Sequence, residues 1–133
     1  MRHKEKRVSI KNEIDIVEAV FESKTLAETA GFSLTAQCAV STAVSELARN
    51  IFKYAVKGVI ILRIIEKDGN IGMEVVAEDN GPGIENLNLV MKGNYSTGGS
   101  LGLGISGVKR LMDEFSIDTK KRQGLRIITR KWA

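Results

Sequence analysis

Glu46 and Asn50 lie four residues apart in a segment whose apolar residues keep helical spacing, which stacks a carboxylate next to an amide on one helix face. At about 100° per residue the pair falls roughly 80° to 120° from the centre of the apolar stripe, where a helix borders a cleft. There a carboxylate can accept a proton, and an amide oxygen can ligate a hard cation such as Mg²⁺, which keeps several of its waters. Taken alone, the same two residues also fit the polar flank of a buried helix.

Two glycine-rich segments could carry further chemistry. Glu78-Asp79-Asn80-Gly81-Pro82-Gly83 follows a β-branched run. Glycines on both sides of a proline let the backbone turn tightly against a flat ligand, with the Asp79 carboxylate accepting hydrogen bonds from it. A plain turn is the competing reading. Ser96-Thr97-Gly98-Gly99-Ser100-Leu101-Gly102-Leu103-Gly104 precedes a helical pattern, so its backbone N–H groups would meet a phosphate at the positive end of a helix dipole. Gly102, Gly104 and Gly107 also spell a dinucleotide fingerprint, but no strand precedes them and a short hairpin follows, so that reading fails on context. No Gly-Lys-Ser/Thr occurs, which excludes a Walker A loop.

The composition narrows the rest. His3 is the one histidine and lies in a charged terminus, so a Ser-His-Asp triad, a His-rich zinc site and a phosphorylated core histidine have no candidate. One cysteine, Cys38, forbids an intrachain disulfide. No apolar run approaches the roughly 20 residues of a membrane span, and no signal-peptide core follows the charged start; the expectation is a reduced, cytoplasmic protein without membrane contact. Lys plus Arg number 20 against 16 Asp plus Glu, a net charge of +4. The basic clusters at residues 4–11 and 120–131 have no interleaved aromatics, so they read as solvated faces rather than a nucleic-acid surface.

The elements that must position these residues follow from periodicity. A strand is predicted at Arg7 to Ile10, then a helix from Glu13 with Asn12 as N-cap, Asp15 in its first turn and Gly31 closing it. Its apolar positions Ile14, Val17, Val20, Phe21 and Leu26 keep a roughly helical spacing. Thr35 opens a second helix reaching about Tyr54, with Val40, Val44, Leu47, Ile51 and Tyr54 inward. Gly58 to Lys67 and Ile71 to Glu78 form a hairpin about Asp68-Gly69. Asp79 to Leu103 reads as a long functional loop, Ile105 to Phe115 as a helix, and Ser116 to Lys120 with Leu125 to Trp132 as a closing hairpin. Of 133 residues one domain is expected, 1–133, of α+β class: a two-layer sandwich with a mixed, mostly antiparallel sheet and helices on one face.

Taken in order, Ser45 to Ile51, Ala77 to Ile84 and Ser96 to Phe115 resemble the N, G1 and G2 boxes of the GHKL ATPase/kinase superfamily. Within it the chain is similar to the anti-sigma-factor serine/threonine kinases, and among those to the stressosome switch kinases, a resemblance supported by the Lys131-Trp132 ending. The resemblance covers nearly the whole chain. It implies the Bergerat ATP-binding fold, with Asn50 ligating Mg²⁺ and Glu46 as general base. It also implies Asp79 accepting from the adenine amino group, with Gly81 and Gly83 shaping the pocket. Ser96 to Gly104 would line the phosphates, Gly102 and Gly104 through their N–H groups, and residues from about Leu87 to Ser100 would form a lid.

The activity so implied is transfer of the ATP γ-phosphate to Ser or Thr of a STAS-domain antagonist in a stress-signalling complex, followed by release to activate a partner phosphatase. The alternative is a nucleotide-dependent anti-sigma factor that sequesters a sigma subunit. One departure stands out: where the superfamily often has Gly-Thr in its late turn, this chain has Gly124-Leu125. Leucine can neither donate nor accept there, and a hydrogen bond of that kind contributes about 0.5–1.5 kcal/mol.

Overall fold

A computed structural model describes residues 4–55, 57–79, 101–120 and 124–133. Along them run β1 (Glu5–Ile10), α1 (Glu13–Thr29), α2 (Leu34–Tyr54), β2 (Gly58–Lys67), β3 (Asn70–Asp79), α3 (Leu101–Leu111), β4 (Glu114–Lys120) and β5 (Gly124–Trp132). The strands form one sheet in the order β1-β2-β3-β5-β4. Every pairing is antiparallel, so the α+β expectation holds and no parallel pair appears among the described strands.

Local chemistry sets the ends of the elements. Asn12 Oδ1 accepts from the Asp15 N–H at 3.2 Å while Asp15 Oδ2 accepts from the Asn12 N–H at 3.1 Å, a reciprocal cap that starts α1. Gly31, at φ 85°, closes it: the Phe32 N–H reaches the Ala27 carbonyl and the Gly31 N–H the Glu28 carbonyl. Ser33, rather than the neighbourhood of Thr35, opens α2, its Oγ accepting from the Ala36 N–H at 3.2 Å. Asp68 and Gly69 both take positive φ, 53° and 81°, joining β2 to β3 in the two-residue turn whose twist matches the strands.

The structure decides one point that periodicity left open and corrects another. In α1 the large apolar residues Ile14, Val17 and Phe21 are 72%, 65% and 67% exposed, whereas Ala19, Ser23, Leu26 and Ala27 are buried. The helix presents its small residues to the core because Ala19, Ser23 and Ala27, four apart on one face, let its backbone come close. The buried Ser23 hydroxyl donates to the Val20 carbonyl at 2.7 Å, so that seam leaves no unsatisfied group at Ser23. The third helix begins at Leu101 and ends at Leu111, not at Ile105 and Phe115. The glycines of its first turn each carry about 1 kcal/mol of helix penalty relative to alanine, which makes the segment read as loop, while packing against α2 offsets it. At the other end the Asp113 N–H bonds to the Arg130 carbonyl at 2.9 Å, so β5 draws the chain out of the helix. Phe115 still packs on the core, from β4.

The helices cover one sheet face. Ile10, Ile60, Leu62, Met73, Val75 and Ile127 from the strands join Val40, Val44, Leu47, Ile51, Ile105 and Val108 from the helices in one buried cluster. The opposite face is held by charge. Strand register aligns Glu5, Arg63, Glu74, Arg130 and Glu114 in a single row across all five strands, with successive ion pairs at 3.0, 2.8, 2.8 and 3.1 Å. Glu74, 7% exposed, is clamped between two guanidinium groups, which a buried carboxylate requires.

At the ends of the row the Trp132 indole and the Arg130 guanidinium hold Glu114 below the ordinary carboxylate value of 4.5, and hydrogen bonds from Arg7 and Arg63 do the same for Glu5. A carboxylate whose pKa is lowered by folding stabilises the fold above its unfolded pKa, and that stability fades as pH falls through the folded value. Stability should therefore hold above about pH 5 and decline below 4.5. Glu114→Gln should make the acid limb of a stability-against-pH curve shallower, and an unchanged limb would show that the row contributes nothing.

Candidate functional site

Both α1 and α3 pack on α2, whose Val40, Val44, Leu47 and Ile51 are buried as their spacing requires. Glu46 and Asn50 lie half-buried on its border. From Arg49 and Phe52, which line a groove with α1, they are about 110° round the helix, away from α1. The Asn50 amide nitrogen is buried and has no hydrogen-bond partner among the described residues. An orphan of this kind costs about 1–3 kcal/mol, and turning the amide plane over places the carbonyl oxygen in the same position, where a cation would supply the missing partner. Among the described residues no group of three or more His, Cys, Asp or Glu side chains converges. A metal here would rest on few protein oxygens, with water and ligand phosphates completing its shell, which suits Mg²⁺.

Asp79 is the last residue of β3, paired with Gly58 on one side and Leu125 on the other. Gly58 is the device that brings the helix to it. A Cβ there would strike the Glu78 carbonyl oxygen and stand 2.7 Å from Ile51 Cγ2 and 3.0 Å from Asp79 Cβ. The bare glycine thus lets α2, one residue beyond Asn50, seat directly against the strand end that carries Asp79. Sequence reading passes over Gly58; its only signal is a glycine opening a β-branched run, the mark of a close approach. Gly58→Ala should lower stability by about 1–3 kcal/mol through overpacking and weaken nucleotide binding, as read by urea unfolding and calorimetry. Wild-type values for both would show that the seam can give without consequence.

A cleft of about 570 Å³ opens at this end of the sheet; Ser9, Val59, Glu78, Arg126 and Asp118 in its walls stand in register on the face of the Glu5–Glu114 row, opposite the helices, and Gly58, Asp79 and Leu125 also line it. Leu125, where the resemblance expects threonine, lies directly across from Asp79 and belongs to the buried cluster, so it offers packing rather than a hydrogen bond. Gly102 and Gly104 lie in the first turn of α3, where a helix leaves its N–H groups without carbonyl partners of its own. Gly81, Gly83 and Ser96 to Ser100, with the expected lid, lie outside the described residues.

A two-layer α+β frame with an acid-amide pair on a central helix, an aspartate at a strand end and glycines opening a helix defines a class, and comparison bears it out. Residues 11–131 match the family model "Histidine kinase-like ATPase domain", and the chain belongs to that family. It is 45% identical over 125 residues, 94% of each chain, to the serine/threonine-protein kinase RsbT of Bacillus subtilis. It is 32% identical over 104 residues to the anti-sigma F factor of Clostridium kluyveri, covering 69% of this chain and 68% of that one. The fold likeness extends to the mycobacterial sensor histidine kinase MprB, with TM-score 0.60 and 17% identity over 97% of both chains. Identity to RsbT along nearly the whole of both chains carries the class of enzyme with it, an ATP-dependent protein serine/threonine kinase. No helix among the described residues is long and apolar enough to cross a membrane.

Proposed function

We propose that residues 1–133 act as one kinase domain that transfers the γ-phosphoryl group of ATP to a serine or threonine of a STAS-domain antagonist in a stressosome-type assembly, and is then released to activate a partner phosphatase. The observation that carries the chemical reading is the Asn50 amide nitrogen, buried and without a hydrogen-bond partner among the described residues, one helical turn from the Glu46 carboxylate. In this reading Glu46 accepts the proton of the substrate hydroxyl as its oxygen bonds to the γ-phosphorus, and the bond from that phosphorus to the β–γ bridging oxygen breaks, leaving ADP. Asn50 would hold Mg²⁺, which when bound neutralises phosphate charge. Asp79 accepts from the adenine amino group, Gly81 and Gly83 shape its pocket, and Ser96 to Gly104 line the phosphates.

The test is calorimetry with a non-hydrolysable ATP analogue, with and without Mg²⁺, followed by transfer of labelled γ-phosphate to a purified STAS-domain protein. Mg²⁺-dependent binding with label on the STAS protein is expected; binding without transfer to any such protein would overturn the substrate assignment. The second reading, a nucleotide-dependent switch that sequesters a sigma factor, is favoured by the 32% identity to an anti-sigma F factor. Retention of a sigma subunit by the immobilised protein would select it.

A further inference from the structure

We infer that the outer face of α1 and the groove it forms with α2 dock an amphipathic helix of another protein, one whose apolar stripe is edged with Lys or Arg on the side that meets Glu18 and Glu22. Ile14, Val17 and Phe21 recur at helical spacing and point away from the core, 72%, 65% and 67% exposed. Phe52 of α2, 41% exposed, extends the patch, and a groove of about 700 Å³ separates the two helices there. Apolar residues three and four apart along an exposed helix are the usual seat of a partner helix, and contiguous exposed apolar surface marks interaction sites.

Charge decides between occupants. Four of the sheet's acids, Glu5, Glu74, Glu78 and Glu114, have arginine partners. By contrast α1 carries Glu13, Asp15, Glu18, Glu22 and Glu28 against Lys24 alone, in a chain whose net charge is +4. Glu18 and Glu22 flank the apolar stripe on the side away from α2, and neither belongs to an ion pair among the described residues. Arg49 lines the groove on the α2 side and is likewise unpaired among the described residues. The acidic Glu18–Glu22 edge selects a helix that is basic on the side facing it by complementary potential, and repels the same edge of a second copy. Because Arg49 and Phe52 lie on the helix that carries Glu46 and Asn50, the partner would sit on the reverse side of the catalytic helix. The inference stands apart from the kinase reading, and its failure would leave ATP use untouched.

The test is fluorescence anisotropy with a labelled peptide of about 18 residues, long enough to hold a helix on binding, bearing Leu at the stripe positions and Lys along one edge. A control peptide keeps the leucines and replaces each Lys by Glu. The Lys-edged peptide should bind at least about tenfold tighter than the control, Ile14→Ser with Phe21→Ser should abolish binding, and Glu18→Lys with Glu22→Lys should reverse the preference. Nucleotide binding and thermal unfolding of these surface variants should match wild type. Equal binding of the two peptides, binding indifferent to the substitutions, or no binding up to about millimolar peptide would overturn the inference. So would a sedimenting dimer that Phe21→Ser dissolves, since the face would then belong to a second copy.

Discussion

Glu46→Gln is expected to lower phosphoryl-transfer turnover by about 10²- to 10⁴-fold, the usual loss when a positioned general base is removed. The amide keeps the shape of the carboxylate but cannot take a proton from the attacking hydroxyl. Glu46 is half-buried on the border of α2 rather than in the core cluster, so the fold should tolerate the change. Calorimetry with an ATP analogue should therefore give wild-type affinity while single-turnover label transfer collapses. Unchanged transfer would remove Glu46 from the chemistry; a parallel loss of ATP binding would make it a binding residue instead.

Asp79→Asn is expected to weaken nucleotide binding by about 1.5–3 kcal/mol, the contribution of a hydrogen bond to a charged acceptor. That is roughly a tenfold to hundredfold rise in Kd. Asp79 ends β3 between Gly58 and Leu125, remote in the chain from Glu46, so turnover at saturating ATP should change little and the effect should fall on KM. Leu125 sharpens this expectation. With leucine in the neighbouring strand, no side-chain hydroxyl at that position is available to take over part of the lost hydrogen bonding. Wild-type affinity in the variant would rule out Asp79 as the adenine anchor, and an equal loss of turnover at saturation would place it in the reacting geometry.

The two variants should separate binding from chemistry along a physical division in the molecule. Glu46 and Asn50 are held by a helix, Asp79 by a strand, and the two elements meet where Ile51 lies against the bare backbone of Gly58. A kinase that relies on positioning and charge neutralisation needs such a seam more than it needs many functional groups. Gly58→Ala perturbs the seam itself, so it should affect stability and binding together, whereas the two isosteric variants should each move one quantity.

Much of this was legible in the residues alone. Cap chemistry is local, so Asn12 with Asp15, Gly31, and Asp68-Gly69 marked the ends of α1 and the β2–β3 turn without knowledge of any neighbour. The period of α2 placed Glu46 and Asn50 on a border, because angular position on a helix follows from spacing. The three boxes together pointed to the family that the comparisons then showed. What the sequence could not decide was which face of α1 is buried. Periodicity finds a stripe of large apolar residues but does not say whether it meets the core or a partner, and here close backbone approach through Ala19, Ser23 and Ala27 prevailed over the greater area of Ile14, Val17 and Phe21. The ends of α3, the alignment of Glu5, Arg63, Glu74, Arg130 and Glu114 into one row, and the role of Gly58 were likewise set by tertiary structure. Each depends on contacts between segments distant in the chain, and a local pattern carries no record of which distant backbone will come within a few ångströms.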